Sequence, residues 1–276
     1  RRDRSADARL SVGKTMAVDT AAGADAAHAP AQPGKWRLGG ALWLLGMPGV
    51  VAVVWTLLPT LRANAALLPL PPEAVLLLSG LQTAALLALA VALGVWLAPR
   101  VGLQAPAVSA WLGGQPAWHG LRAQLLPGIV GGVAGAAWLW VLSRLAPTAL
   151  QPSDPASAMP LAGKLLYGGI TEELLVRWGV MTLLLWLGWR LLQRGQGRPG
   201  KGLVAAAVLL SAVLFAVGHL PAAQALAGVL TVPVVAFVLV GNTVFGLVAG
   251  WLFARYGLEA AIIAHVLAHW LSSPLL

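Results

Sequence analysis

Residues 164–189 read KLLYGGITEELLVRWGVMTLLLWLGW. The run is long enough to cross a hydrocarbon core, which takes roughly 20 residues, yet it carries Glu172, Glu173 and Arg177 in its middle. Comparable apolar runs recur along the rest of the chain from about residue 38, with charges confined to their edges. We place spanning helices at about 38–61, 74–98, 127–146, 164–190, 202–220, 225–254 and 259–275. The fold class is all-α, a polytopic transmembrane helix bundle of about seven spans, or eight if the sixth breaks near Pro233 or Gly241. Residues 101–126, with Trp111, Trp118, His119 and Arg122 among Gly and Pro, read as an interfacial loop or short surface helix.

Composition agrees. Of 276 residues, 59% are hydrophobic and 10% charged, and the mean hydropathy is +0.81, far from the balance of a soluble domain. Cysteine is absent, which excludes disulfides, thiolate metal sites and a thiol nucleophile. The net charge of +9 comes from Lys and Arg at the ends of apolar runs and in residues 1–37, a topology pattern rather than a nucleic-acid surface.

Residues 1–37 lack an apolar period and read as a disordered basic tail without the layout of a signal peptide. The first methionine is Met16, which raises the expectation that residues 1–15 come from an over-extended reading frame. Residues 38–276 then form one transmembrane domain. Basic residues gather in the tail and at Arg190, Arg194, Arg198 and Lys201, whereas the connections near Arg62 and around 147–163 are poor in them. The positive-inside rule puts the N-terminus in the cytoplasm and the protein in the cell membrane, plasma or inner, in contact with its lipids.

Two sequence features have plain readings. Glycines at 128, 131, 132 and 135, and at 246 and 250, form small-residue faces that let helix backbones approach. Residues 195–201, GQGRPGK, mimic part of a phosphate-binding loop, but Gly202 stands where Ser or Thr is required and no strand precedes it. It is a basic turn.

Of nine acidic residues, only Glu172 and Glu173 fall inside a span. An ionisable group at that depth costs at least ~2.5–3.5 kcal/mol, so it is expected to face the bundle interior. Glu173 and Arg177 are four apart and can pair on one helix face, while Glu172 is turned about 100° from its neighbour. The pair is thus structural and Glu172 is free for chemistry or metal; a single charge-balanced packing network is the other reading. Three histidines accompany it: His219 ends the fifth span in FAVGH, and His265 and His269 sit at i and i+4 in HVLAH. Two imidazoles at that spacing share a face, as a metal site or paired catalytic group requires. At ~1.5 Å per residue, Glu172 lies about 12 Å past Lys164. His219, His265 and His269 reach compatible depths, so the four side chains are expected around one cavity.

Glutamate with three histidines suits attack by activated water on an amide. Desolvation makes a carboxylate a stronger base, and Zn²⁺ or another divalent ion, if bound, lowers the pKa of its water towards ~7. The soluble H-E-x-x-H motif is absent.

E-E-x-x-x-R at 172–177, F-x-x-x-H at 215–219 and H-x-x-x-[polar] at 265–269, preceded by GLEAAIIA, resemble in order and spacing the three motifs of the CPBP intramembrane proteases. That family comprises type II CAAX prenyl endopeptidases and bacteriocin-processing or Abi self-immunity proteins, and the likeness covers about residues 164–276. It implies an intramembrane metalloendopeptidase-like site acting on a peptide or prenylated-protein substrate. Glu172 would be the catalytic base, His219 and His265 would bind metal or position water and oxyanion, and Glu173 with Arg177 would support them. The family has Asn, sometimes Asp, where this chain has His269, which would donate to an oxyanion or add a third metal ligand beside His219 and His265. Two rival readings keep the polar cluster without proteolysis: a membrane immunity or scaffold protein of the same fold, and a small proton-coupled transporter. Tyr167, Thr171 and Asn242 are candidates for supporting roles, with ordinary interhelical bonding as the plainer use. On the charge-based orientation the cavity opens outward, whereas the likeness to eukaryotic CAAX enzymes favours the cytosol.

Overall fold

Helices whose outward faces are apolar need a non-aqueous surround, and this chain is built from them. The structure, a computed structural model, describes residues 33–151 and 159–273; most of the expected N-terminal tail lies outside these. All regular structure among the described residues is helical. In chain order the helices are α1 Lys35–Ala63, α2 Pro72–Val101, the short α3 Pro106–Leu112, α4 Trp118–Leu145, α5 Leu161–Leu192, α6 Lys201–Gly218, α7 Leu220–Ala227, α8 Val232–Arg255 and α9 Leu258–Ser272. Six helical stretches are long and apolar enough to span a membrane, with α6 and α7 counted as one, and α9 is a shorter apolar helix. The outward surface carries Leu44, Val51, Trp55, Leu77, Leu81, Leu126 and Val130 exposed, an arrangement that hydrocarbon solvates and water would not. The chain is a multi-pass membrane protein.

Two expected boundaries move. The third span starts at Trp118 rather than near 127, and Pro127 lies inside it. Its Trp and His residues look interfacial in sequence, but they form the first turn of α4, where Gly120 abuts the backbone of Pro106 and Ala107 so closely that a Cβ would collide. Residues 225–227 belong to α7, which stops at Gly228 with φ +70°, so the next span starts at Val232. Pro233 falls in the first turn of α8, where its missing N–H costs nothing, and the helix runs unbroken through Gly241. No eighth span forms among the described residues. At 15 residues α9 is about 22 Å long, short of a ~30 Å core.

Small residues set the seat of α9. A Cβ at Gly128 would approach Ile263 to 2.9 Å, and one at Gly135 would approach Ala268 to 2.8 Å, so α4 and α9 touch nearly backbone to backbone. Gly246 does the same for α8 against Ala212 of α6, at 2.8 Å.

The opposite end of α9 is fixed by polar chemistry. Glu259, 8% exposed, accepts hydrogen bonds on Oε1 from the backbone N–H groups of Ala107 (2.9 Å) and Val108 (3.0 Å), capping α3. Its Oε2 accepts from Nε2 of Gln124 (3.0 Å), whose Oε1 accepts from Ala260 N–H (2.9 Å). One carboxylate thus ties α3, α4 and α9 together.

The charged segment is not the α-helix that its spacing suggests. Within α5, Lys164–Thr171 and Glu173–Met181 are wound as π-helix, a form usually met as single turns at functional sites. Hydroxyls follow the wider turn: Thr171 donates to the carbonyl of Leu166 (3.3 Å) and Thr182 to that of Arg177 (3.2 Å), each five residues back.

Charge is unequal between the two ends of the bundle. Lys35, Arg37, Arg100, Arg122, Arg190, Arg194, Arg198, Lys201 and Arg255 lie at one end, and Arg62, Arg144 and Lys164 at the other.

Candidate active site

At the end poor in cations, a cavity of about 750 Å³ opens between α4, α5, α6, α8 and α9. Its wall is chiefly apolar, with Leu139, Leu142, Phe237, Val238 and Phe245. Glu172, His219, His265 and His269 all line it. Residues distant in sequence meet because α5 and α8 start at this end while α6 and α9 finish there.

Glu173 and Arg177 lie beneath the cavity floor, both wholly buried, with Arg177 Nη1 3.2 Å from Glu173 Oε1. The Arg177 guanidinium also lies over the Phe215 ring at 4.6 Å and directs Nη2 to the carbonyl of Gly246 at 3.4 Å. Glu173 does more than pair with arginine: the same Oε1 accepts from His265 Nδ1 at 2.7 Å. That bond fixes the imidazole and leaves His265 Nε2 unprotonated in the neutral ring. His219 is held alike, its Nδ1 donating to the Phe215 carbonyl at 2.8 Å. A carbonyl can only accept, so in neutral His219 Nε2 is also a free acceptor. It faces Glu172 Oε1 at 3.9 Å, beyond a direct hydrogen bond and suited to a bridging water.

His265 and His269 stack, with ring centroids 5.0 Å apart and planes at 26°. The other face of the pair is packed by Phe245, 4.5 Å from His265. The ring nitrogens of His269 bond to no described residue and remain available to the cavity. Gly168 makes the room: a Cβ there would stand 3.0 Å from His269 Nε2 and 3.9 Å from Glu172 Oε2. Nothing in the sequence singles out Gly168, and only the packing of α5 against α9 shows its use.

Of the lesser candidates, Thr171 donates to the Gly46 carbonyl at 2.7 Å, an interhelical bond, and Asn242 bonds back to Val238 at 2.9 Å within α8. Asn242 and Tyr167 nevertheless line the cavity, as does Lys164. Among the described residues no group of three or more His, Cys, Asp or Glu is already placed to hold a metal ion, and His219, His265 and His269 share the cavity wall.

Comparison with curated proteins and with solved structures finds no match. A family model does match: residues 154–271 fit the type II CAAX prenyl endopeptidase Rce1-like model. The matched stretch contains all of the cavity-lining Glu and His residues and excludes α1 to α4. Over these residues the chain is similar to the Rce1-like type II CAAX prenyl endopeptidases.

Proposed function

We propose that the protein is an intramembrane endopeptidase in which Glu172 activates water for attack on a peptide bond. The observation that carries the proposal is the 3.9 Å gap between Glu172 Oε1 and the unprotonated Nε2 of His219 at the cavity wall. A water there donates one O–H to each acceptor and keeps its lone pairs for the substrate. Attack forms the C–O bond as Glu172 takes the water proton, and negative charge develops on the carbonyl oxygen. His269, free on the cavity side and stacked on a fixed His265, donates its ring N–H to that oxygen. Collapse breaks the C–N bond, and Glu172 returns the proton to the leaving amine. Glu173 and Arg177 act by holding His265 and Phe215 in place.

The family match supports a protein substrate, and the apolar wall suits a lipid-modified tail, so prenylated CAAX-type peptides are the substrates to offer. The charge asymmetry supports an orientation with the cation-rich end, and the N-terminus with it, in the cytoplasm. Glu172→Gln is the test: purified protein in nanodiscs is expected to stay folded and lose at least ~10²-fold in cleavage rate. Wild-type cleavage that survives this substitution overturns the proposal. The scaffold alternative predicts no cleavage by either form.

A further inference from the structure

Among the described residues Lys164 is the only lysine on the cavity wall, and it is the first residue of the π-helical run that presents Glu172. Each of the four described carboxylates is engaged elsewhere: Glu73 with Arg62, Glu173 with Arg177 and His265, Glu172 opposite His219, and Glu259 with α3 and Gln124. The cavity that Lys164 lines is mostly apolar, with Met159, Leu142 and Val53 among the lining residues. A lysine half-buried in such a wall favours an anion beside it. Its own fold supplies none among the described residues, so the anion is sought in the ligand.

Spacing says where that anion would sit. Lys164 precedes Glu172 by at most about 12 Å of helix axis, because the π-wound run between them rises less per residue than the ~1.5 Å of an α-helix. An extended peptide covers about 3.3–3.6 Å per residue, so that interval holds about three residues and at most four. We infer that Lys164 binds the free C-terminal carboxylate of the substrate in the cavity and thereby sets which peptide bond reaches Glu172. The inference rests on the proposed endopeptidase reading and adds to it a residue that recognises the chain end. A compact ammonium on a flexible stem suits this role, since it needs charge more than fixed geometry.

The test compares two prenylated CAAX-type peptides, identical except for a C-terminal carboxylate or carboxamide, in nanodiscs of zwitterionic lipid. Wild type is expected to favour the acid by about tenfold or more in kcat/KM, chiefly through KM. Lys164→Met should reduce that ratio to about 1 by weakening the acid alone, and Lys164→Arg should keep most of it. Equal cleavage of acid and amide by wild type, or an unchanged preference in Lys164→Met, overturns the inference and leaves the endopeptidase reading standing. The same conclusion follows if Lys164→Met alters the rate only when anionic lipid is added, since the anion is then a headgroup. Binding of both peptides to Glu172→Gln, read by fluorescence anisotropy, separates the two levels. Acid-selective, Lys164-dependent binding without wild-type cleavage supports Lys164 and overturns proteolysis, whereas binding of neither peptide overturns both.

Discussion

Glu259→Ala measures how firmly the histidine-bearing helix is anchored. The carboxylate accepts from Ala107 N–H, Val108 N–H and the Gln124 amide, and truncation leaves three donors without a partner in a region shielded from water. Each orphaned buried donor costs about 1–3 kcal/mol. Removing a buried charge recovers part of this because its desolvation is also relieved, so the net loss is set at about 3 kcal/mol, near the lower bound of the sum. Glu259→Gln keeps one oxygen for the α3 N–H groups but turns an amide donor towards Gln124, and should lose about 1 kcal/mol. Reversible unfolding of the purified protein in mixed micelles reads both values. Cleavage should fall along with stability in Glu259→Ala, since α9 carries His265 and His269. A loss below about 0.5 kcal/mol in Glu259→Ala, the range of ordinary surface changes, refutes the claim that this knot secures α9.

The remaining expectations concern the cavity and its setting. His269→Ala should lower kcat by about 10²-fold, the worth of one oxyanion donor, while His269→Asn should restore activity to within about tenfold of wild type, because an amide can donate from the same place; equal loss in both refutes the donor role. Gly168→Ala should cost about tenfold or more in rate with little change in unfolding, because its methyl group displaces His269 from beside Glu172. Exhaustive chelation of active protein should leave cleavage intact, and a stoichiometric metal whose removal abolishes turnover would require a ligand set other than the side-chain arrangement described. A reporter fused after residue 154 should be active outside the cytoplasm, as the charge asymmetry requires; cytoplasmic activity reverses the orientation.

What the sequence disclosed and what it hid divide along physical lines. Periodicity and length expose each apolar helix because the bilayer demands long apolar runs, and E-x-x-x-R announces the Glu173–Arg177 pair because four residues make one turn. The same rule misjudged the backbone itself: α5 is π-wound over most of its charged half, and hydrophobic pattern is blind to the difference between bonds to i−4 and i−5. The second partner of Glu173 was equally hidden, since His265 is brought to it by the α4–α9 glycine contact and not by any local spacing. Glu259 opens a short helix, where sequence suggests an edge, yet burial and three accepted bonds make it an interior anchor. Charge alone does not report depth when a helix of 15 residues starts below the surface. The two carboxylates in α5 and the one in α9 therefore share a logic that only packing reveals. Glu173 and Glu259 are spent on holding helices and rings in place, and Glu172, adjacent in sequence to one of them, is the carboxylate left facing the cavity.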